Sequence, residues 1–173
     1  MIRFVQTLYV GGIGMISRIM SKHLKQRAKK MTVIALLGPR QSGKTTLAQL
    51  AFDRQSYVSL ETMKNRTFAH EDPHTFLQTY ANDYGIILDE IQEAPELLSY
   101  IQGQVDEHNV PGYFVITGSQ NFLMNEAITQ TLAGRVALFT LLPLSISELK
   151  KTKLLPNTIE RGRTVSACIC AGS

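Results

Sequence analysis

The 173-residue chain is 44% hydrophobic and 18% charged, which excludes a disordered class and suits a single buried core. Its formal net charge of +4 is unevenly spread: residues 1–30 carry seven Lys or Arg and no acid, residues 31–150 carry seven against thirteen acids, and the rest carry four against one. The acidic middle repels a polyanion, so nucleic acid is not expected as a partner of the core.

The opening MIRFVQTLYVGGIGMISRIM is apolar, but Gln6, Thr7 and three glycines interrupt it. It falls short of the ~20 apolar residues a membrane span needs, and no transmembrane segment is expected. From Ile16 to Lys30 the spacing of Ile16, Ile19, Met20 and Leu24 makes a helical stripe, with Arg18, Lys22, Lys25 and Arg27 on other faces. A solvated helix lying on the core explains this better than a membrane-surface helix.

Apolar runs of strand length then alternate with helical segments. TVIALLG (32–38), SYVSLE (56–61), GIILDE (85–90), YFVITGS (113–119) and RVALFTL (135–141) read as five strands. LAQLAF continues a helix after the first, and PELLSYIQGQVDEH (95–108) reads as a helix with Pro95 in its first turn. A polar stretch containing Pro73 leads through FLQTYAND into the third strand. The predicted fold is α/β, a doubly wound, five-stranded, mostly parallel sheet with helices on both faces. The expected division is a basic extension and helix over 1–30, the main domain over 31–150, and a disordered or truncated tail over 151–173. Cys168 and Cys170 have no further ligand in reach, so neither a disulfide framework nor a zinc site is supported, and a reducing, cytoplasmic setting is expected.

GPRQSGKTTLAQL sits between the first strand and its helix. Gly38, Gly43, Lys44 and Thr45 satisfy G-x-x-x-x-G-K-[ST], a match expected by chance in roughly 1 in 200 chains of this length before the strand–helix context is required. The glycines let the backbone curl with its N–H groups inward, and the helix N-terminus adds positive dipole character. Lys44 would reach the β and γ phosphates, the Thr45 hydroxyl would bind Mg²⁺, and Thr46 adds an α-phosphate contact. Pro39, Arg40, Gln41 and Ser42 complete the candidate phosphate-binding stretch. Arg40 and Gln41 also fit ordinary exposed loop residues, with a phosphate contact as the alternative for Arg40.

In GIILDE, four apolar positions precede Asp89 and Glu90. A buried strand ending in a carboxylate beside the phosphate loop suits Asp89 for the Mg²⁺ hydration shell, and Glu90, one residue on, for activating a water. The competing reading is a pair of acids that start a following helix. Thr117 and Ser119 end a strand that can lie between the phosphate-loop and Asp89 strands, where one hydroxyl would sense the γ-phosphate or the water. A strand-ending turn explains them equally well. Arg135 in LAGRV is either a surface arginine or a cation for the transition state, in its own site or a neighbour's.

The runs GPRQSGKTTL, YVSLE, ILDEIQEAPELLSYIQGQVDE, FVITGSQNFL and LAGRVALFTLLPLSISEL together resemble the AAA-like P-loop ATPases of bacteria and archaea over residues 16–149. The resemblance implies Walker A roles for Lys44 and Thr45, Walker B roles for Asp89 and Glu90, a sensor role for Thr117 or Ser119, and the family's arginine before its last strand for Arg135. It also implies a P-loop NTPase topology, with ATP and Mg²⁺ as cofactors and self-association or a protein partner. Family chains begin near MISRIMSKHL and continue into a further C-terminal domain. Residues 1–14 are therefore expected to be an upstream extension, and the chain is expected to end truncated after Lys150. The leading expectation is a Mg²⁺-dependent ATPase core with Lys44, Glu90 and Arg135 as its catalytic residues. The alternative is a nucleotide-dependent interaction module with negligible turnover. A small-molecule kinase is disfavoured because residues 120–134 contain no Arg or Lys for a lid, and GTP because no N-K-x-D motif occurs.

Overall fold

A computed structural model describes residues 18–145. Arg18–Pro143 form one compact unit; the other unit, residues 1–17 with 144–173, lies almost wholly outside the described residues. The expectations for residues 1–14, for the tail and for Cys168 and Cys170 therefore fall outside the description.

Helix α1 (Met20–Ala28) leads into strand β1 (Val33–Gly38), helix α2 (Lys44–Ala51) and strand β2 (Ser56–Ser59). Helices α3 (Met63–Glu71) and α4 (Pro73–Tyr80) precede β3 (Ile86–Asp89) and a 3-10 turn at Ile91–Glu93. Helix α5 (Leu97–Glu107), β4 (Phe114–Ser119), α6 (Phe122–Thr131) and β5 (Val136–Thr140) complete the order. The strands form one sheet in the order β2-β3-β4-β1-β5, with every pairing parallel. Strand β4 lies between β1 and β3, so Gly38 and Ser119 are register partners at the carboxyl edge.

All six residues of β1 are buried, which explains their uniform apolar character: both faces of the sheet are covered. Ile34 and Leu36 pack with Leu24, Leu47, Ala48 and Ala51 of α1 and α2. Val33, Ala35 and Leu37 face the opposite layer, which holds Phe76 and Leu77 of α4, Leu97 and Ile101 of α5, and Ile128 of α6. Each buried Val, Leu or Ile contributes about 1.5–3 kcal/mol relative to its exposed state, so both layers are tightly bound to the sheet.

Several element expectations need correction. Helix α5 begins at Leu97, leaving Pro95 in the preceding turn and not in the first helical turn. The second strand ends at Ser59, two residues short of Glu61. The stripe on α1 is narrower than its spacing suggests: Leu24 is fully buried, but Ile19 is 51% exposed and Arg18 precedes the helix. Helix α6 is absent from the sequence reading because its first two residues, Phe122 and Leu123, are exposed and break the helical pattern. In α3 only Ala69 is buried, so no stripe marks that helix. Helix α4 starts where Asp72 accepts from the Thr75 N–H at 3.0 Å and Pro73 occupies the first turn.

Candidate nucleotide site

The carboxyl edge of the sheet gathers most of the sequence-predicted residues. The β1–α2 loop turns through two left-handed residues, Gln41 at φ 61° and Gly43 at φ 87°. Gly38 is required by space: a Cβ there would stand 2.3 Å from the Leu141 carbonyl oxygen. Within the loop Ser42 and Lys44 are buried, whereas Pro39, Arg40 and Gln41 are exposed. The Lys44 ammonium donates to the Pro39 carbonyl at 3.0 Å. The Ser42 Oγ is buried without a hydrogen-bond partner among the described residues, a polar group that a phosphate oxygen at this loop can satisfy. Thr46, the third residue of α2, lies half-buried in its first turn.

Asp89 ends β3 on the face that carries α2. Its carboxylate accepts the Thr45 hydroxyl at 2.9 Å on Oδ1 and 3.1 Å on Oδ2, and Thr117 Oγ1 also donates to Oδ1. Tyr57 on β2 donates its phenol to Oδ2 at 2.9 Å. Partial burial and the adjacent Asp89 charge push the Tyr57 phenol well above the ordinary tyrosine range, so it remains a donor. Three hydroxyls thus converge on one carboxylate that is only 5% exposed.

Glu90 adopts the left-handed conformation at φ 59°, ψ 54° and ends the strand. It occupies the N-cap position of the 3-10 turn, as the helix-starting reading of the acids expects, but makes no capping hydrogen bond through its side chain. Gln92 donates through Nε2 to Glu90 Oε2, and its Oε1 accepts the Ser119 N–H at 3.1 Å. Its amide thereby links the end of β3 to the end of β4. A Cβ on Gly118 would stand 2.7 Å from Gln92 Oε1, so glycine leaves room for this link.

The structure brings Lys44, Thr45, Asp89 and Thr117 together and sets Glu90 and Ser119 beside them. Arg135 is elsewhere. It precedes β5 at the amino edge of a parallel sheet, opposite the loop, and its Nε donates to Asp106 Oδ1 at 2.7 Å. A role in its own site is excluded by that placement. Sequence reasoning missed Tyr57, Gln92 and Arg18. The only signal for the first two is a polar side chain within a strand or just after the paired acids; Arg18 was assigned to solvent.

A sequence model described as an AAA domain matches residues 30–150, more than half of the chain. The chain belongs to the AAA domain family. An uncharacterized protein of Mycobacterium tuberculosis and another of Mycobacterium bovis are each 31% identical over 134 residues, 72% of this AAA chain. The AAA chain spans only 28% of the length of these relatives. Among solved structures, AMPPCP-bound DnaA from Aquifex aeolicus has a similar fold, with TM-score 0.51, 12% identity and coverage of 80% of this chain and 51% of that one. The Aeropyrum pernix ORC1 protein, solved in complex with DNA, has TM-score 0.52 and 17% identity, covering 76% of this chain and 46% of that one. The fold of this AAA domain is that of nucleotide-binding P-loop NTPases. Among the described residues, no helix is long and apolar enough to cross a membrane.

Proposed function

We propose that the AAA domain binds ATP with Mg²⁺ and hydrolyses it. The single observation carrying this reading is the Thr45–Asp89 hydrogen bond at 2.9 Å, which joins the helix behind the phosphate loop to the acid that ends β3. An all-oxygen pair of hydroxyl and carboxylate suits a hard cation. Such an ion is carried largely by substrate phosphates and water, with one or two protein ligands. Thr45 and Asp89 would hold that ion, and when bound it neutralises charge developing on the phosphates.

The loop amides and Lys44 grip and orient the polyphosphate. Ser42 offers its hydroxyl, and Thr46 would contact the α-phosphate. Glu90 takes a proton from a water whose oxygen attacks the γ-phosphorus; the bond to the β–γ bridging oxygen breaks, giving ADP and inorganic phosphate. Thr117 holds Asp89 in aim, and the end of β4 at Ser119 shares the Gln92 amide with Glu90. Arg135, paired to Asp106 at the far edge, is assigned to the site of a neighbouring copy. The proposed ATPase domain comprises residues 31–150, acting in the cytoplasm, with nucleic acid not among its proposed partners.

A nucleotide-dependent thermal shift tests binding: wild type shifts with ATP and Lys44→Ala does not. Glu90→Gln retains the shift and loses phosphate release by ~10²–10⁴-fold. An intact wild type with no nucleotide-dependent shift overturns the reading. The distance of Arg135 from its own loop supports a second reading, in which a single copy binds ATP as an interaction module with negligible turnover; phosphate release that stays at background at every protein concentration, while the nucleotide-dependent thermal shift persists, supports it.

A further inference from the structure

The N-terminal segment reaches the phosphate loop through one side chain. Arg18 Nη1 donates to the Ser42 carbonyl at 2.8 Å, and Nη2 donates to the Leu142 carbonyl at 2.6 Å. Nη1 also lies 3.7 Å from the position a Cβ would take on Gly43. The helical spacing of the sequence assigned this arginine to solvent, yet its guanidinium spans two backbone segments.

A loop whose amides face a ligand must turn its carbonyls outward, and each outward carbonyl then needs a donor. Gly38 O accepts from the Gln120 N–H at 3.3 Å, Pro39 O from Lys44, and Gly43 O from the Leu47 N–H at 2.9 Å. For Ser42 O the donor is Arg18. The other arm of the guanidinium holds the exit of β5, a stretch already fastened to the loop's base: the Leu141 N–H donates to Leu37 O at 2.7 Å, and the Leu141 carbonyl packs on Gly38. The rigid planar fork of arginine suits two carbonyls held at a fixed separation, and its permanent charge adds to the positive field at the α2 N-terminus.

We propose that Arg18 is a positioning residue for nucleotide binding, a brace that holds the Ser42–Gly43 peptide in its phosphate-accepting orientation by anchoring it to the exit of β5. This rests on the reading of the loop as a nucleotide site. Ordering the loop in advance reduces the cost of binding, so the brace acts on affinity. Its contact is with backbone and involves no metal.

The test titrates the full chain with a fluorescent ADP analogue in EDTA, comparing wild type, Arg18→Ala, Arg18→Gln and Lys44→Ala, with the melting midpoint of each recorded without nucleotide. Arg18→Ala is expected to weaken binding about tenfold, as loss of a charge-assisted hydrogen bond predicts. Arg18→Gln, which keeps an amide donor, is expected to fall between, and carries the test if the alanine variant does not fold. Millimolar ethylguanidinium is expected to restore affinity to Arg18→Ala and leave wild type unchanged, which a merely structural role would not produce. Wild-type affinity in the folded Arg18 variants, or a loss that ethylguanidinium does not relieve, overturns the brace while leaving nucleotide binding intact. Failure of the wild type itself to bind overturns the nucleotide reading and the brace with it.

Discussion

Tyr57, on an edge strand, donates its phenol to Asp89 Oδ2 at 2.9 Å, while Thr117, from the central strand β4, donates to Oδ1 of the same carboxylate. The two donors differ in their access to water: Tyr57 is 42% exposed and Thr117 is 0% exposed. A lost donor is replaced by solvent at the first position, whereas at the second no water enters and Oδ1 keeps only the Thr45 hydroxyl. Thr117→Val is therefore expected to cost about 2–3 kcal/mol and Tyr57→Phe about 1 kcal/mol or less. Urea denaturation of the two variants checks this ordering, and equal midpoints would refute it.

Gly38 and Gly103 make opposite predictions from the same substitution. At Gly38 the added methyl meets backbone at 2.3 Å, whereas at Gly103, in the exposed middle of α5, it meets nothing within 4 Å. Gly38→Ala is expected to lose soluble folded protein or to cost about 3 kcal/mol, through overpacking against the exit of β5. Gly103→Ala is expected to gain about 0.5–1 kcal/mol from helix propensity. Thermal melts in parallel read both signs.

Glu90 holds a left-handed backbone at φ 59° that an ordinary side chain adopts at a cost. Glycine adopts it freely, so Glu90→Gly is expected to melt no lower than wild type despite the lost Gln92 contact, while phosphate release disappears. A fall in the midpoint beyond about 4 °C, on the order of 1 kcal/mol in a domain this size, would show that the conformation carries no strain.

The placement of Arg135 across the sheet from Lys44 leads to a mixing experiment. Lys44→Ala and Arg135→Ala are each expected to be inactive alone. Combined in equal amounts, they form junctions in which one copy supplies an intact loop and the other an intact arginine. Recovered phosphate release supports action on a neighbour, and a silent mixture removes Arg135 from the chemistry.

The sheet was legible because burial on both faces writes near-continuous apolar runs: Val33–Gly38 and Ile86–Asp89 each consist of buried residues throughout. Lys44 and Thr45 were legible because the loop motif fixes residue type at set spacing along the chain, and Asp89 because it closes an apolar strand-length run. Tyr57, Gln92 and Arg18 were not, because their partners lie 32, 27 and 24 positions away in sequence and depend on strand order and loop path, which no local pattern encodes. Arg135 shows the converse. Its neighbourhood in sequence is distinctive, but its position relative to the loop follows from the direction of β5 in the sheet.

Lys44 keeps an acceptor of its own in the Pro39 carbonyl, at 3.0 Å, although the side chain is only 4% exposed. Its charge is consequently compensated without outside help, and the fold need not wait for a ligand to avoid an orphaned ammonium. Affinity at this position is then an exchange of acceptors: a phosphate oxygen gains only by as much as it outcompetes a peptide carbonyl. In the proposed nucleotide site such an exchange would moderate affinity, and the same carbonyl would take the ammonium back when the polyphosphate leaves.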